Sequence, residues 1–431
     1  LQIYNLMSRK REMSSLSESE DDLHASTKVN PSDSDKDITP VQRPPKAAES
    51  SPMKKVIVRS ITASVLAVLY LILLQTGHLY CIFSVILTQT QLYREIVNVR
   101  YVAAKERAMP WFRSFQWSWF FAAMIFVYGE TFERFCEDRK SLSHLYPMIR
   151  DYLNYIVYGM YWAIFVGSVL TLKPGLIRFQ LSQHMWSIVT VCLVVFQAKF
   201  FATNTLNGLF WFFFPMATVF MNDVSAYFSG ITFGKKFIKA KFLSLSPNKT
   251  WEGFIGALIL TLVFSFFFPA LLAQFSWFTC PAEELYLIPF PKPLTCEPNS
   301  VFIPTTYNLP LVGEQVLYPM QFHGLVYGLF ASVVAPFGGF FASAIKRAYH
   351  KKDFDSFMPG HGGMMDRMDC QLLMSTFSAF YYFSFIAHKA KTVNKMILEA
   401  AIMSPENQLL LWEELGKMVN ATNCIEVAKE C

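Results

Sequence analysis

Charge is scarce in this sequence. Asp, Glu, Lys and Arg make up 16% of its 431 residues, against about 25% in an ordinary soluble domain. Hydrophobic residues reach 53%, too many to hide in one aqueous core, which excludes a conventional soluble enzyme. The eight cysteines form no C-x-x-C pair and no Cys/His group at zinc spacing, which excludes a zinc ribbon and a dithiol redox centre. No nucleic-acid-binding motif is present. The formal charge of +6 therefore reads as membrane topology and binding of an anionic substrate. No internal repeat is evident, which counts against an inverted-repeat transporter. The chain opens on Leu, and its first apolar run begins only near Ile61, so a cleaved leader is not expected.

What the chain has in abundance is long apolar runs. A helix crossing ~30 Å of hydrocarbon needs about 20 mostly apolar residues. Runs of that kind lie near 60–76, 79–97, 111–129, 152–172, 184–204, 206–223, 253–273, 322–342 and 370–388. The weakest is 79–97, which carries Gln89 and Gln91. The expected fold is all-α, a polytopic integral membrane protein with about nine transmembrane helices.

Three regions follow. Residues 1–53 are Ser, Asp, Glu, Lys and Pro with few aromatics, too polar to offset their ordering entropy, and are expected to form a disordered tail. Within it "SSLSESEDD" (Ser14–Asp22) is either a solvating stretch or a phosphorylation target. Residues 54–395 are expected to form one transmembrane domain, and 396–431 a C-terminal tail.

Basic residues set the orientation. Lys54, Lys55 and Arg59 precede the first run, so the N-terminal tail should be cytosolic. Arg94, Arg100, Lys105 and Arg107 follow the second. Loop 229–250 carries Lys235, Lys236, Lys239, Lys241 and Lys249 with no acid, and loop 343–369 is also basic. Loop 274–320 holds Glu283, Glu284, Glu297 and Glu314 against Lys292 alone, so it should face the lumen. There Cys280 and Cys296 either pair or stay free. Nine crossings would leave the C-terminal tail lumenal, whereas Lys389, Lys391 and Lys395 argue for the cytosol. Asn420, in the acceptor triplet "NAT", would report on this.

Two cytosolic loops are polar beyond the needs of anchoring. The second, "KKDFDSFMPGHGGMMDRMDC", places Asp366 and Asp369 three apart, on one face if helical. Asp353 lies upstream. Converging carboxylates suit a hard cation, and Mg²⁺ in turn binds substrate phosphates. Lys346, Arg347, Lys351 and Lys352 lie beside them. Acids for a metal next to bases for phosphate are the parts of phosphoryl transfer. Gly360, Gly362 and Gly363 around His361 let backbone amides approach an oxyanion, and His361 can donate to phosphate or carry a proton. In the first loop Asn222 and Asp223 end an apolar run, where an ionisable group is costly. Ser246, Lys249, Thr250 and Glu252 follow in "SPNKTWEG", with Lys249 able to reach phosphate. Helix capping explains the same stretch equally, with Ser246 and Pro247 at the N-cap and N1 positions.

Ser343, Lys346-Arg347, Lys352-Asp353, Pro359, His361-Gly362-Gly363, Asp366-Arg367 and Asp369 resemble the signature of the CDP-diacylglycerol synthase (phosphatidate cytidylyltransferase) family. "SPNKTWEGFIGA" and "NDVSAYFSGITFGKK" resemble two further family motifs, and "APFGGFFAS" points to the eukaryotic, endoplasmic-reticulum branch. The likeness extends from about residue 55 to 415. Asp355 stands where the family usually has a small residue, and Gly339 where bacterial relatives carry an acid.

The resemblance implies a multi-pass enzyme of the endoplasmic reticulum membrane with a cytosolic active site. It would condense CTP with phosphatidate and release pyrophosphate, with Mg²⁺, a second monovalent cation such as K⁺, and a homodimeric assembly. Asp366, Asp369 and Asp353 are the expected metal ligands, with Asp223 assisting. Lys346, Arg347 and His361 complete the catalytic set. Asp223, Ser246, Lys249, Thr250, Glu252, Ser343, Lys352, Gly362, Gly363 and Arg367 are expected to bind substrate. Of the alternatives, a CDP-alcohol phosphotransferase lacks its D-G-x-x-A-R run here. A transporter of phosphorylated lipid or nucleotide would place charges at mid-membrane, and a scaffold would rely on the N-terminal tail.

Overall fold

The structure is a computed structural model that describes residues 52–100, 111–137, 146–238, 240, 242, 249–282, 285–290, 296–309, 313–355, 362–387, 397 and 400–430. The N-terminal tail up to residue 51, with its serine-acid stretch, lies outside them.

Helices occupy every one of the apolar runs. They are α1 (Pro52–Thr76), α2 (His78–Val99), α3 (Phe112–Glu137), α4 (Tyr146–Leu170), α5 (Ile177–Val191), α6 (Gln197–Leu206), α7 (Leu209–Phe233), α8 (Trp251–Leu272), α9 (Pro319–Val333), α10 (Pro336–Ala348) and α11 (Met365–Tyr381). A π-helical turn, Cys192–Phe196, joins α5 to α6, and another, Tyr382–Ile386, extends α11. A last helix, α12, covers Pro405–Glu430.

Among the described residues five segments are long and apolar enough to cross a membrane: Asp151–Leu170, Ile177–Leu206, Leu209–Phe233, Trp251–Leu272 and Pro319–Ala348. Ser64–Thr76 on α1 is apolar but shorter, and the other runs carry polar or charged groups. Examples are Gln89, Gln91 and Glu95 on α2 and Asp366, Arg367 and Asp369 on α11. Large apolar side chains stay exposed along α1 (Ile61, Val65, Leu69) and α4 (Tyr155, Tyr158, Leu170), as expected of faces that meet lipid rather than water.

Inside the bundle, polar side chains bind helices to one another. Gln89 Nε2 donates to the Val195 carbonyl at 3.2 Å and Tyr128 Oη donates to Gln89 Oε1 at 2.6 Å. Val195 lies in the first π-turn, where the i→i−4 ladder is interrupted and its carbonyl takes an outside donor. Asn204 Nδ2 reaches the Ser375 carbonyl at 3.0 Å, and Gln371 Nε2 the Met216 carbonyl at 3.2 Å. Such bonds hold transmembrane helices where lipid offers no partner.

The segment between α8 and α9 forms one end of the bundle. Cys280 and Cys296 are joined by a disulfide there, so of the two states open from sequence the paired one is observed. An antiparallel hairpin follows, β1 (Thr305–Leu309) and β2 (Gly313–Leu317), in register Thr305↔Leu317 to Leu309↔Gly313. It adds two short strands to a chain read as all helix. Trp277 Nε1 donates to the Leu74 carbonyl at 3.0 Å, Ala282 N–H to Leu206 at 2.9 Å and Tyr80 Oη to Leu287 at 2.6 Å. The ends of α1 and α6 and the start of α2 therefore gather here, and the other ends of α2, α7 and α10 lie opposite.

Candidate active site

At that opposite end both polar loops converge. The C-terminal half of α7 brings Asn222 and Asp223, and the head of α8 brings Lys249 and Thr250. Helix α10 brings Ser343 and Lys346, and the N-terminal end of α11 brings Asp366, Arg367 and Asp369; together they line a cavity of about 610 Å³. Phe242, Phe254 and Phe340 form part of the same wall.

Local sequence explains each placement. Helix α10 starts on Pro336, whose fixed φ suits a first helical position. It ends with Lys346 and Arg347 in its last turn, where the helix dipole favours cations. Helix α8 starts after Thr250, whose Oγ1 accepts the Gly253 N–H at 3.2 Å. The cap of α8 thus sits at Thr250, because its backbone is extended and its hydroxyl faces the first turn. Asp366 falls in the first turn of α11, and Asp369, three residues on, lines the same cavity.

Asp366 organises the loop before it. Its Oδ1 pairs with Lys346 Nζ at 2.5 Å, with the two side chains 8% and 12% exposed. Its Oδ2 accepts the N–H groups of Phe354 and Gly363, each at 3.1 Å. Lys346 Nζ also lies over the Phe354 ring at 5.5 Å. Gly362 has φ +81°, the left-handed region that glycine adopts without strain. A Cβ on Gly363 would come within 2.7 Å of Glu95 Oε2 and 3.2 Å of Asp366 Oδ2.

Asp369 is in a different state. Its Oδ1 accepts the Cys370 N–H at 2.7 Å. Burial pushes its carboxyl up to about 6, the Cys370 N–H opposes this, and the negative charge of Asp223 adds to it. Two carboxylates thus share a confined space with Lys249, Lys346 and Arg367 on the same wall.

Several expected residues lie elsewhere. Glu252 does not line the cavity. Its Oε1 accepts the N–H groups of Phe237 at 3.1 Å and Ile238 at 2.7 Å, tying the turn after α7 to the head of α8. Arg347 Nη1 donates to the Lys351 carbonyl at 3.2 Å, and Lys352 is exposed. Asp353 sits beside Gly362, outside the cavity lining. Asp353, Asp366 and Asp369, expected as one ligand set, are not gathered on one point: among the described residues no three His, Cys, Asp or Glu side chains converge at metal-binding distance. His361 and Ser246 lie outside the described residues. Where bacterial relatives carry an acid, a side chain at Gly339 would meet Cys370 Sγ at 3.2 Å and Asp369 Oδ2 at 3.4 Å, so the space is taken by α11. One group escaped the sequence reading: Glu95 on α2, whose carboxylate reaches the head of α11. The signal available was an ionisable residue inside an apolar run.

A helical membrane bundle whose one polar cavity end combines paired carboxylates with three cations is an enzyme that handles phosphate groups at a lipid surface. The match to known proteins narrows this class. The model of the cytidylyltransferase family fits residues 57–385, and the chain belongs to that family. A probable phosphatidate cytidylyltransferase of Dictyostelium discoideum is 37% identical, over 86% of this chain and 80% of its own length. Phosphatidate cytidylyltransferase 3 of Arabidopsis thaliana is 39% identical, over 80% and 74%. Phosphatidate cytidylyltransferase 1 of Homo sapiens is 36% identical, over 85% and 79%.

Proposed function

We propose that this protein transfers the cytidylyl group of CTP to phosphatidate, giving CDP-diacylglycerol and pyrophosphate. A phosphate oxygen of phosphatidate attacks the α-phosphorus of CTP. The bond from that phosphorus to the bridging oxygen breaks, and pyrophosphate leaves with the electron pair. The observation that carries the reading is the cavity, where Asp223, Asp366 and Asp369 share a wall with Lys249, Lys346 and Arg367.

The donor set fits Mg²⁺. It offers hard carboxylate oxygens, and Mg²⁺ needs only one or two carboxylates when substrate phosphates and water complete its shell. Burial and the neighbouring Asp223 raise the pKa of Asp369, and a bound cation would offset both. Asp369 and Asp223, with Asp366 adjoining, would hold the ion. When bound it neutralises charge on the triphosphate. Lys249, Lys346 and Arg367 attract and orient the phosphates, and the Asp366 pair fixes the direction of the Lys346 ammonium. The cavity at the bundle end admits CTP from water and phosphatidate from the leaflet.

Placement in the endoplasmic reticulum with the cavity toward the cytosol, a second cation such as K⁺ and a homodimer belong to the same proposal. The basic loops at the cavity end and the acidic, disulfide-bonded segment at the other support that orientation. The test is CDP-diacylglycerol formation by purified protein given CTP, phosphatidate and Mg²⁺, with EDTA and Asp366→Asn as controls. Product that vanishes in both is expected. Folded protein that gives no product with any phosphatidate would overturn the reading.

A further inference from the structure

Glu95 is 1% exposed. A carboxylate so far from water is costly unless several donors hold it, and here three do. Oε1 accepts the Met364 N–H at 2.9 Å and Gln91 Nε2 at 3.1 Å, and Oε2 accepts the Met365 N–H at 2.8 Å. Met364 and Met365 open α11, and the N-cap residue Met364 offers no side-chain cap of its own. The first N–H groups of a helix have no partner within it, and its positive end favours an anion. Glu95 supplies both needs from a helix 269 residues earlier in the chain.

The turn that Glu95 grips is also gripped by Asp366. Glu95 takes the N–H groups of residues 364 and 365, and Asp366 takes that of Gly363. The absence of a side chain at Gly363 leaves room for both carboxylates, since a Cβ there would meet Glu95 Oε2 at 2.7 Å and Asp366 Oδ2 at 3.2 Å. One turn further lies Asp369 on the cavity wall. Displacing the head of α11 would therefore move Asp366, Arg367 and Asp369 together relative to Lys249, just before α8.

We propose that Glu95 is a positioning residue of the transfer reaction: it anchors the head of α11 so that Asp366, Arg367 and Asp369 keep their places around the cavity. This rests on the activity proposed above. It acts through the helix and touches no substrate.

The test uses the full chain with Glu95→Gln, and Tyr128→Phe as control. Tyr128→Phe deletes a buried hydrogen bond to the same helix, at Gln89, away from the cavity. Glutamine keeps one acceptor oxygen and turns an NH₂ group toward an N–H donor. Turnover, KM for both substrates and amide exchange over residues 362–368 are measured. For Glu95→Gln the expected result is a kcat lower by between about tenfold and the ~100-fold that a misplacement of ~1 Å can cost. KM should stay near wild type and exchange at Met364 and Met365 should rise, while Tyr128→Phe keeps its kcat.

Wild-type kcat and unchanged exchange in Glu95→Gln would overturn the proposal. So would equal kcat losses in both variants, which would mean general loosening. If Glu95→Gln does not fold, Glu95→Asp, which keeps the charge but falls a methylene short of α11, is read the same way. If wild type itself makes no product, the activity reading fails. Exchange at Met364 and Met365 then decides the anchoring alone, a rise supporting it and no change overturning it.

Discussion

Asp366 and Asp369 are three residues apart on one helical turn, yet their surroundings give them different work. Asp366 is ion-paired and accepts two amides, and so holds Lys346 and the loop. Asp369 has one backbone donor and an acidic neighbour, and its carboxyl is pushed up to about 6 by burial. Asp369→Asn should lower turnover by ~100-fold or more, the usual cost of removing one electrostatic group at a reacting centre. The same variant should melt higher than wild type in EDTA at pH 8. A carboxyl whose folded pKa is raised favours folding while protonated, below its unfolded value near 4, and loses that contribution as pH rises through about 6. The gap between the two melting temperatures should therefore close toward pH 4. Equal melting at pH 8 would show that Asp369 is not strained. Gly363→Ala tests the neighbouring contact. A methyl group there meets Glu95, Asp366 and the Asp355 amide, so the head of α11 must shift, and turnover should fall more than thermal stability.

Helix α2 looked least like a span in the sequence because it carries Gln89 and Gln91, and these residues, with the overlooked Glu95, explain what it does. Gln89 joins it to the π-turn and to α3, and Glu95 joins it to α11. At its end Lys351 Nζ donates to the Asn98 carbonyl at 3.3 Å. Arg100 lies 5.5 Å from the Trp186 ring and 5.8 Å from the Tyr349 ring. Gln89→Leu should cost about 1–3 kcal/mol, because it leaves the Val195 carbonyl and the Tyr128 hydroxyl buried without partners. Thermal unfolding in detergent would measure it, and a change within error would mean that water replaces the amide. The apolar runs were legible because lipid demands ~20 residues of one character. The pairing of Asp366 with Asp369 was legible because helical periodicity is local. Glu95, the Asp366–Lys346 pair and the diversion of Glu252 to a backbone turn were not, since each depends on which distant segment arrives beside it. The hairpin was missed because its strands are five residues each and lie in a segment read only for its charge.

At the scale of the molecule, two ends with opposite chemistry are separated by the length of the bundle. Helix direction fixes which residues share an end. The cavity, Arg100 and the head of α11 lie at one, and the disulfide, the hairpin and the last turn of α11 lie at the other, where His323 Nδ1 meets Tyr381 Oη at 2.8 Å. The last span therefore finishes at the disulfide end. The three lysines that argued otherwise, Lys389, Lys391 and Lys395, lie outside the described residues. A transporter would need polar groups along a path joining the two ends. The polar bonds of the bundle interior instead link helix to helix, which leaves catalysis at one end independent of the other. The disulfide tests that independence. It closes a loop of sequence separation 16, for which the constraint on the unfolded chain is worth about 3 kcal/mol. Cys280→Ser with Cys296→Ser should therefore unfold at a lower temperature while keeping wild-type kcat and KM for CTP. If turnover fell in step with stability, the ends would be coupled through the helices. If neither changed, the helix-end contacts of Trp277 and Ala282 would by themselves hold that end together.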